Sequence, residues 1–489
     1  MVFPMRRRAG LVGTFTVAQL SVASAGALVG LSSIFAHDPA QALTIRFIPA
    51  MLLMAVGLML DQHGHPLIST IGRRVFFTMR RILRQTDYRR PVGVQPWESA
   101  KLLLPGGLSS IQLLETDGGA IVENRARGTV AAVLELTAPG YALLDADDQS
   151  DRVGTWALFL STLVKHPGLA RIQVLLPSRS SNPRQLREFY DGHASSEVSD
   201  WAKEQYETLL DTGVAASIRH SQLLVVVLDR ARIAGDIRAQ GGGWVGLASV
   251  LAREVETITG GLRECGLEVR RWLGARALSA AIRVAYCPEE GDTIDARTEG
   301  HHGVAPASAG PMAGVEAWDH IHVDDAFHRT FEVTEWPRIA ALPDFLSAAT
   351  TLPFPHSVSL TFSPVPVRSS MARIKRERGA LESNAELRRR RGNVRDDNAF
   401  ERREREDIER REQELAMGFG DLEFIGLITV TGRSLQELDA HSSAFRTAVE
   451  SRGMEVRPMY GEQVSGFNSA SLPLAVAPAR SMSIGRGVR

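Results

Sequence analysis

The chain has 489 residues, which is more than one ordinary domain holds and enough for two or three. Hydrophobic residues make up 44% of it, so a sizeable core can be buried. Lys plus Arg and Asp plus Glu each number 56, and this zero net charge excludes a whole-molecule field that would favour nucleic acid.

Two apolar runs at the start predict an N-terminal transmembrane helical hairpin. Leu11 to Ala36 carries no charge and exceeds the roughly 20 residues that cross a bilayer core. Phe47 to Leu60 forms a shorter second run, after a tight link at 37–41. Gly26 and Gly30 have the GxxxG spacing that lets two helices approach closely in lipid.

Arginine placement predicts how this hairpin is oriented. Arginines cluster at 6–8 and at 73–90, whereas the link between the apolar runs has none. The positive-inside rule therefore predicts a multi-pass protein of the bacterial cell (inner) membrane with both termini cytoplasmic. A cleaved signal peptide is the alternative for the first run. The basic, amphipathic stretch Ile68 to Leu83 is typical of a helix on anionic lipid, and residues 1–95 form the predicted membrane segment.

Residues 96–290 form a first predicted cytoplasmic α/β domain. Thr129 to Leu136 alternates like a strand, with Tyr141 to Leu144 as its hairpin partner, and Gln222 to Leu228 indicates a buried strand. Further helices are predicted at Arg152–Lys165, Ser199–Ile218, Leu247–Cys265 and Ala275–Val284, and further strands at Arg171–Leu176 and Leu267–Val269. Such alternation favours layered α/β structure.

A linker or long loop is predicted at 291–314, because this Gly- and Pro-rich stretch has no periodicity. Residues 315–475 then form a second predicted α/β domain. Its first strands are predicted at His320–Val323, Thr330–Val333 and Ser357–Phe362.

An Arg- and Glu-rich stretch at 371–417 predicts a charged helical hairpin inserted in this second domain. Pairs such as Glu406 and Arg410 lie at i,i+4 and support exposed helices. Sparse apolar residues allow a thin seam between two helices: Ile374, Leu381, Leu387, Phe400, Ile408 and Leu415. The hairpin is either a solvated structural element or a docking arm for another protein.

The C-terminal part has the clearest local signals. Phe424 to Val430 predicts a buried strand, and Ser434 with Glu437 forms a capping box for a helix ending near Gly453. With the strand predicted at Glu455–Arg457, the overall class is α/β (α+β), with ferredoxin-like mixed layers after the membrane hairpin. The tail 476–489 is predicted to be disordered.

No catalytic, cofactor-binding or metal residue is predicted. The sequence lacks GxxxxGK[ST] and GxSxG, and the Gly-rich run 241–246 is interpreted as a flexible entry to the next helix. His320, His322 and Asp324 alternate on one strand face but have no further partner for a metal. His301-His302 and His63 with His65 are equally weak candidates for metal ligands. Cys265 and Cys287 form no CxxC pair, and a disulfide is disfavoured in the cytoplasm.

The run from Ala416 to Leu474 resembles the end of the N-terminal domain of type IV secretion and conjugation traffic ATPases, the fourth VirB protein and its TraC-like relatives. The resemblance rests on the strand and helix above, on Gln463 and on Leu472-Pro473. Upstream, the helix Leu247–Cys265 followed by Gly266 and Leu267 is similar to the same family. The apolar hairpin resembles PrgI-like membrane subunits.

The resemblance implies a non-catalytic scaffold, because the chain ends where the family's motor domain would begin; this fits an actinobacterial split form. Its implied partners are a separate Walker-type ATPase, other secretion membrane subunits and the lipid bilayer, with a homo-oligomer left open and no direct nucleic acid. The alternatives are a membrane component of a type VII secretion machine and a membrane-anchored enzyme of unknown reaction.

Overall fold

The computed structural model divides into two compact units. The sheet unit comprises residues 86–366 and 419–478, and the helical unit comprises 4–85, 367–418 and 479–489. Within them the structure describes residues 17–32, 47–58, 67–91, 100–137, 140, 144–180, 190–194, 198–213, 218–297, 302–337, 346–390, 402, 405–406, 408–410, 412–413 and 421–476.

The helices and strands are numbered in chain order. The helices are α1 (Val17–Ser32), α2 (Ile48–Leu58), α3 (Leu67–Ile82), α4 (Ala146–Thr162), α5 (Asp200–Gly213), α6 (Ala234–Ala239), α7 (Gly243–Glu264), α8 (Ala275–Tyr286), α9 (Gly291–Asp295), α10 (Ser347–Thr350), α11 (Val367–Arg390), α12 (Leu435–Glu450) and α13 (Gln463–Ala470). The strands are β1 (Asp87–Arg89), β2 (Ile111–Thr116), β3 (Gly119–Asn124), β4 (Thr129–Thr137), β5 (Leu169–Ser180), β6 (Ile218–His220), β7 (Leu223–Asp229), β8 (Glu268–Trp272), β9 (Ala313–Glu316), β10 (Ile321–Val323), β11 (Ala326–Glu335), β12 (His356–Val365), β13 (Asp421–Gly432) and β14 (Glu455–Pro458).

All these strands join in one antiparallel sheet. Their order is β1-β9-β10-β11-β13-β12-β5-β7-β4-β3-β2, with β14 beside β11, β6 beside β5 and β8 beside β4. The sheet contains two halves with the same topology: β8-β4-β7-β5 in the first and β14-β11-β13-β12 in the second. In each half this is the strand order of a βαββαβ motif. The halves meet where β5 pairs with β12, from Ile172 opposite Phe362 to Ser178 opposite His356.

The two faces of the sheet carry different helices because alternate residues of a strand point to opposite sides. Ile172 of β5 packs in a core with α4 and α7, whereas Leu175 belongs to the core that includes α8. On β13, Ile428 and Val430 contribute to a third core, which Phe445 of α12 completes. Apolar alternation on the strands and apolar stripes on the helices thus explain the layers.

The C-terminal segment 463–476 is fastened to the face that carries α8 by buried polar groups. The Gln173 amide donates to Ser359 Oγ and to the Ser469 carbonyl, both at 3.0 Å, and accepts from the Ala475 N–H at 2.8 Å. The Gln463 side-chain oxygen accepts from the Thr330 N–H at 2.8 Å. This backbone group of β11 is therefore bonded to a side chain and not to a neighbouring strand. Each of these buried groups therefore has a hydrogen-bond partner, as a stable core requires.

Local signals at α12 are confirmed. Ser434 Oγ accepts from the Glu437 N–H at 3.1 Å, and Glu437 accepts from the Arg433 N–H at 2.8 Å. Gly453 follows the helix with a φ of +76°, a conformation that suits glycine at a helix end. The predicted strands at Thr129–Leu136, Gln222–Leu228 and Phe424–Val430 are also confirmed, as β4, β7 and β13.

The predicted N-terminal transmembrane hairpin is wrong. Among the described residues, no helix is long and apolar enough to cross a membrane. α1 has 16 residues and α2 has 11, and a helix rises about 1.5 Å per residue, so α1 covers about 24 Å of a hydrocarbon core of about 30 Å. Gly26 does lie at a close approach of two helices, because a Cβ on Gly26 would lie 2.9 Å from the Ala50 carbonyl oxygen of α2.

The helical unit also contains the charged segment predicted at 371–417. α11 covers its first half, and Ile408 is buried together with Ile374 and Leu381, as the predicted seam requires. Arg378 pairs with Glu412 at 3.1 Å. The remaining predicted seam residues lie outside the side chains that the structure describes.

The predicted linker 291–314 begins with α9 and ends in β9, and its residues Val304, Ala307 and Ala309 are buried in the sheet unit. The division at this point into two domains stays a prediction. The expected hairpin partner at Tyr141–Leu144 and the tail beyond Val476 fall outside the described residues, apart from Leu144.

Candidate functional site

A cleft of about 510 Å³ lies in the sheet unit between α8 and the strands that it covers. Its floor comes from Leu175 and Pro177 of β5 and from Leu223 of β7. One wall is the stripe of α8 with helical spacing formed by Ala277, Ala280, Ala281 and Val284, and Ser471 and Pro473 of the C-terminal segment close another side. Most of the lining is therefore apolar, as in a site that receives an apolar segment.

The charged groups at the rim of this cleft are paired with one another. Arg179 bonds Asp292 at 3.2 Å and also contacts Asp295, which accepts from Arg219 at 3.0 Å. At the other rim, Arg271 donates to Glu135 at 2.6 Å. Because these charges are compensated, the cleft has no excess field for a strongly charged ligand.

α8 is held in place by a network at its C-terminal end. Arg283 donates to Asp324 at 2.9 Å and to Glu290 at 2.8 Å. The Asp324 carboxylate also accepts from the Met312 and Ala313 N–H groups, both at 3.0 Å. One carboxylate thus connects α8 to the turn that joins β10 and β11, and it fixes the α8 wall of the cleft.

Cys287 and Ser178, near the cleft, are of residue types that act as nucleophiles in enzymes. Neither shows the features of an activated nucleophile. Burial raises the pKa of the Cys287 thiol to about 12, so the reactive thiolate is suppressed. Ser178 Oγ lies 2.7 Å from His220 Nδ1, and burial lowers the pKa of His220. In the part of the chain that the structure describes, no carboxylate orients His220, so the pair lacks the third group of a catalytic triad.

His320, His322 and Asp324, which were considered as metal ligands in the sequence, do not converge on one point in the structure. His322 stacks on Phe327 with ring centroids 4.1 Å apart, His320 pairs with Asp319, and Asp324 is turned towards Arg283. Among the described residues, no group of three or more His, Cys, Asp or Glu could hold a metal ion.

The glycine run, the histidine pairs and the cysteines noted in the sequence form no site among the described residues. Gly241, Gly242 and Gly243 have φ angles of +95°, +71° and +56° and lead directly into α7. His302 accepts from Arg276 through its carbonyl and lines the cleft, whereas His301 and the histidines at 63 and 65 lie outside the described residues. Both cysteines are buried and free.

Residues 216–333 match the family model of EccE, described as a putative type VII ESX secretion system translocon. No curated protein matches the chain. The match runs from β6 to near the end of β11. It therefore includes α8, which forms one wall of the cleft.

This similarity corrects the predicted resemblance to type IV traffic ATPases, which is wrong. Two of the residues that carried the resemblance, Gln463 and Leu472, have a structural role here. Gln463 and Leu472 are fully buried under the sheet. The match instead indicates secretion and protein transport as the setting of the chain.

The cleft itself was missed from the sequence. Its one local signal is the spacing of Ala277, Ala280, Ala281 and Val284, which places small side chains on one face of α8 beside the buried stripe of Leu278 and Ile282. Small residues at this spacing leave room between a helix and a sheet.

Proposed function

We propose that this chain is a non-catalytic, membrane-associated component of a type VII secretion machine. The observation that carries the proposal is the family match, because residues 216–333 include α8 and more than half of the residues that line the cleft. The unactivated Cys287 and the incomplete Ser178–His220 pair support a role without catalysis.

The cleft is proposed to receive an apolar segment of another subunit of the same machine. Its apolar floor and small-residue wall fit a segment with apolar side chains, and its paired rim charges give no basis for selecting a strongly charged ligand.

A Walker-type ATPase is a further proposed partner of the chain, since this sequence has no GxxxxGK[ST] loop and secretion needs an energy source.

Filling the cleft is expected to stop export without unfolding the protein. In a strain that lacks the chain, we expect export of type VII substrates to be lost and to be restored by the natural chain. Ala281→Trp places a large side chain in the cleft and should fail to restore export, although its melting temperature should stay close to that of the natural protein.

The matched control is Ala252→Trp, which adds the same side chain at an exposed position of α7 on the sheet unit. It should restore export fully. Normal export in the strain that lacks the chain would contradict the proposed function. Full export with Ala281→Trp would contradict the assignment of the cleft alone.

A further inference from the structure

α3 has an apolar face that is open to the surroundings. Ile71, Val75, Met79 and Ile82 recur every three or four residues and therefore share one side of the helix. Val75 is 63% exposed and Ile82 is 76% exposed, whereas Phe77, on another side of the helix, is buried. α3 thus has a buried aromatic side chain on one side and exposes large apolar side chains on another.

Arginines border this apolar face. Between Leu67 and Thr86 the sequence has five arginines and no Asp or Glu. Arg80 and Arg81 lie in the last turn of α3, where the helix dipole favours cations. A basic helix with an exposed apolar side matches a surface that is apolar beneath and negatively charged on top.

Arg84 occupies a position that would suit glycine. Its φ is +53°, and it closes the helix end, where the Gln85 N–H donates to the Arg80 carbonyl at 2.9 Å and the Arg84 N–H donates to the Arg81 carbonyl at 3.0 Å. A side chain in this left-handed conformation costs stability that glycine would avoid. Arg84 is exposed and adds a further positive charge just after the C-terminal end of α3.

We infer that α3 lies in the plane of an anionic lipid surface. Its apolar side chains enter the boundary between headgroups and acyl chains, and Arg81 and Arg84 contact the lipid phosphates. This inference deepens the proposed function, since it rests on the proposed membrane association and identifies the binding surface. It requires no helix that crosses the bilayer.

Vesicle flotation of the full chain tests the inference. The probes are pure phosphatidylcholine vesicles and vesicles with added phosphatidylglycerol. We expect preferential binding to the anionic vesicles, and we expect Arg81→Gln with Arg84→Gly to weaken it roughly 30-fold, since each arginine near such a surface contributes about a factor of five. Because Arg84→Gly relieves the backbone, lost binding cannot be attributed to a weakened helix end.

The control is Arg253→Gln with Arg263→Gln, which removes two exposed arginines of α7 and should leave vesicle binding unchanged. Val75→Ser with Met79→Ser should weaken binding to both kinds of vesicle. Equal binding to neutral and anionic vesicles would overturn the inference. So would binding to native membranes but not to pure lipid, which would identify a protein partner. Either result leaves the export assay, and with it the proposed secretion role, untouched.

Discussion

Replacing Asp324 with alanine is expected to lower the free energy of unfolding by about 3 kcal/mol, the lower end for breaking a buried ion pair. The carboxylate is 12% exposed and is bonded to Arg283, which is 13% exposed. Its loss leaves the guanidinium with Glu290 and the Gly310 carbonyl, and it leaves the Met312 and Ala313 N–H groups without this acceptor. Alanine also fits poorly at the φ of +47° that Asp324 adopts.

Chemical denaturation of two further variants separates these causes. Asp324→Asn should lose less, because asparagine tolerates the backbone conformation and still accepts hydrogen bonds. Asp325→Ala removes the exposed neighbouring carboxylate and should change stability by no more than about 0.5 kcal/mol. If Asp324→Ala behaved like Asp325→Ala, the network would have no structural importance.

Acid is expected to destabilise the protein through His328, by about 3 kcal/mol between pH 6.5 and pH 4. This ring is fully buried, and burial lowers its pKa to about 4. It lies between Thr431 Oγ1 at 2.9 Å and the Tyr286 carbonyl at 3.0 Å, so the neutral ring donates from Nε2 and accepts at Nδ1. Between pH 6.5 and pH 4 the unfolded chain binds a proton at His328, whereas the folded chain does not. The free energy of unfolding therefore decreases as the pH is lowered.

Denaturation of His328→Gln from pH 8 to pH 4 checks this expectation. The variant is less stable at neutral pH, but its stability should fall by about 3 kcal/mol less than that of the natural protein as the pH drops. His220 and His356, whose pKa values burial also lowers, are present in both proteins. So is His166, whose pKa is raised by the hydrogen bond that its ring donates to the Glu254 carboxylate. Their contributions cancel in the difference, and parallel pH profiles would exclude His328 as the cause.

Local structure was predictable wherever periodicity and end signals agree. β7 is a continuous apolar run, and α12 has both its capping box and its terminal glycine, so each could be assigned from neighbouring residues alone. The assembly of the two halves was not predictable. It depends on β5 pairing with β12, strands that lie more than 170 residues apart along the chain and carry no pairing signal of their own.

The buried polar contacts were equally invisible in the sequence. Gln173 lies between the apolar residues Ile172 and Val174 of β5, and a single amide at that place predicts no contact. In the structure it bonds the C-terminal segment to the face of the sheet that carries α8. The helical unit shows the opposite error. The first apolar run, Leu11 to Ala36, met the length and composition rule for a spanning helix, whereas the described helix α1 within it has 16 residues and is too short.

The cleft beside α8 is proposed to dock another subunit of a type VII secretion machine. The most direct test places a photo-crosslinking amino acid at position 281 in living cells, with position 252 as the control, and identifies the adducts by mass spectrometry. We expect an adduct with a subunit of that machine at position 281 and none at position 252. No adduct at 281, or adducts only with proteins outside the machine, would contradict it.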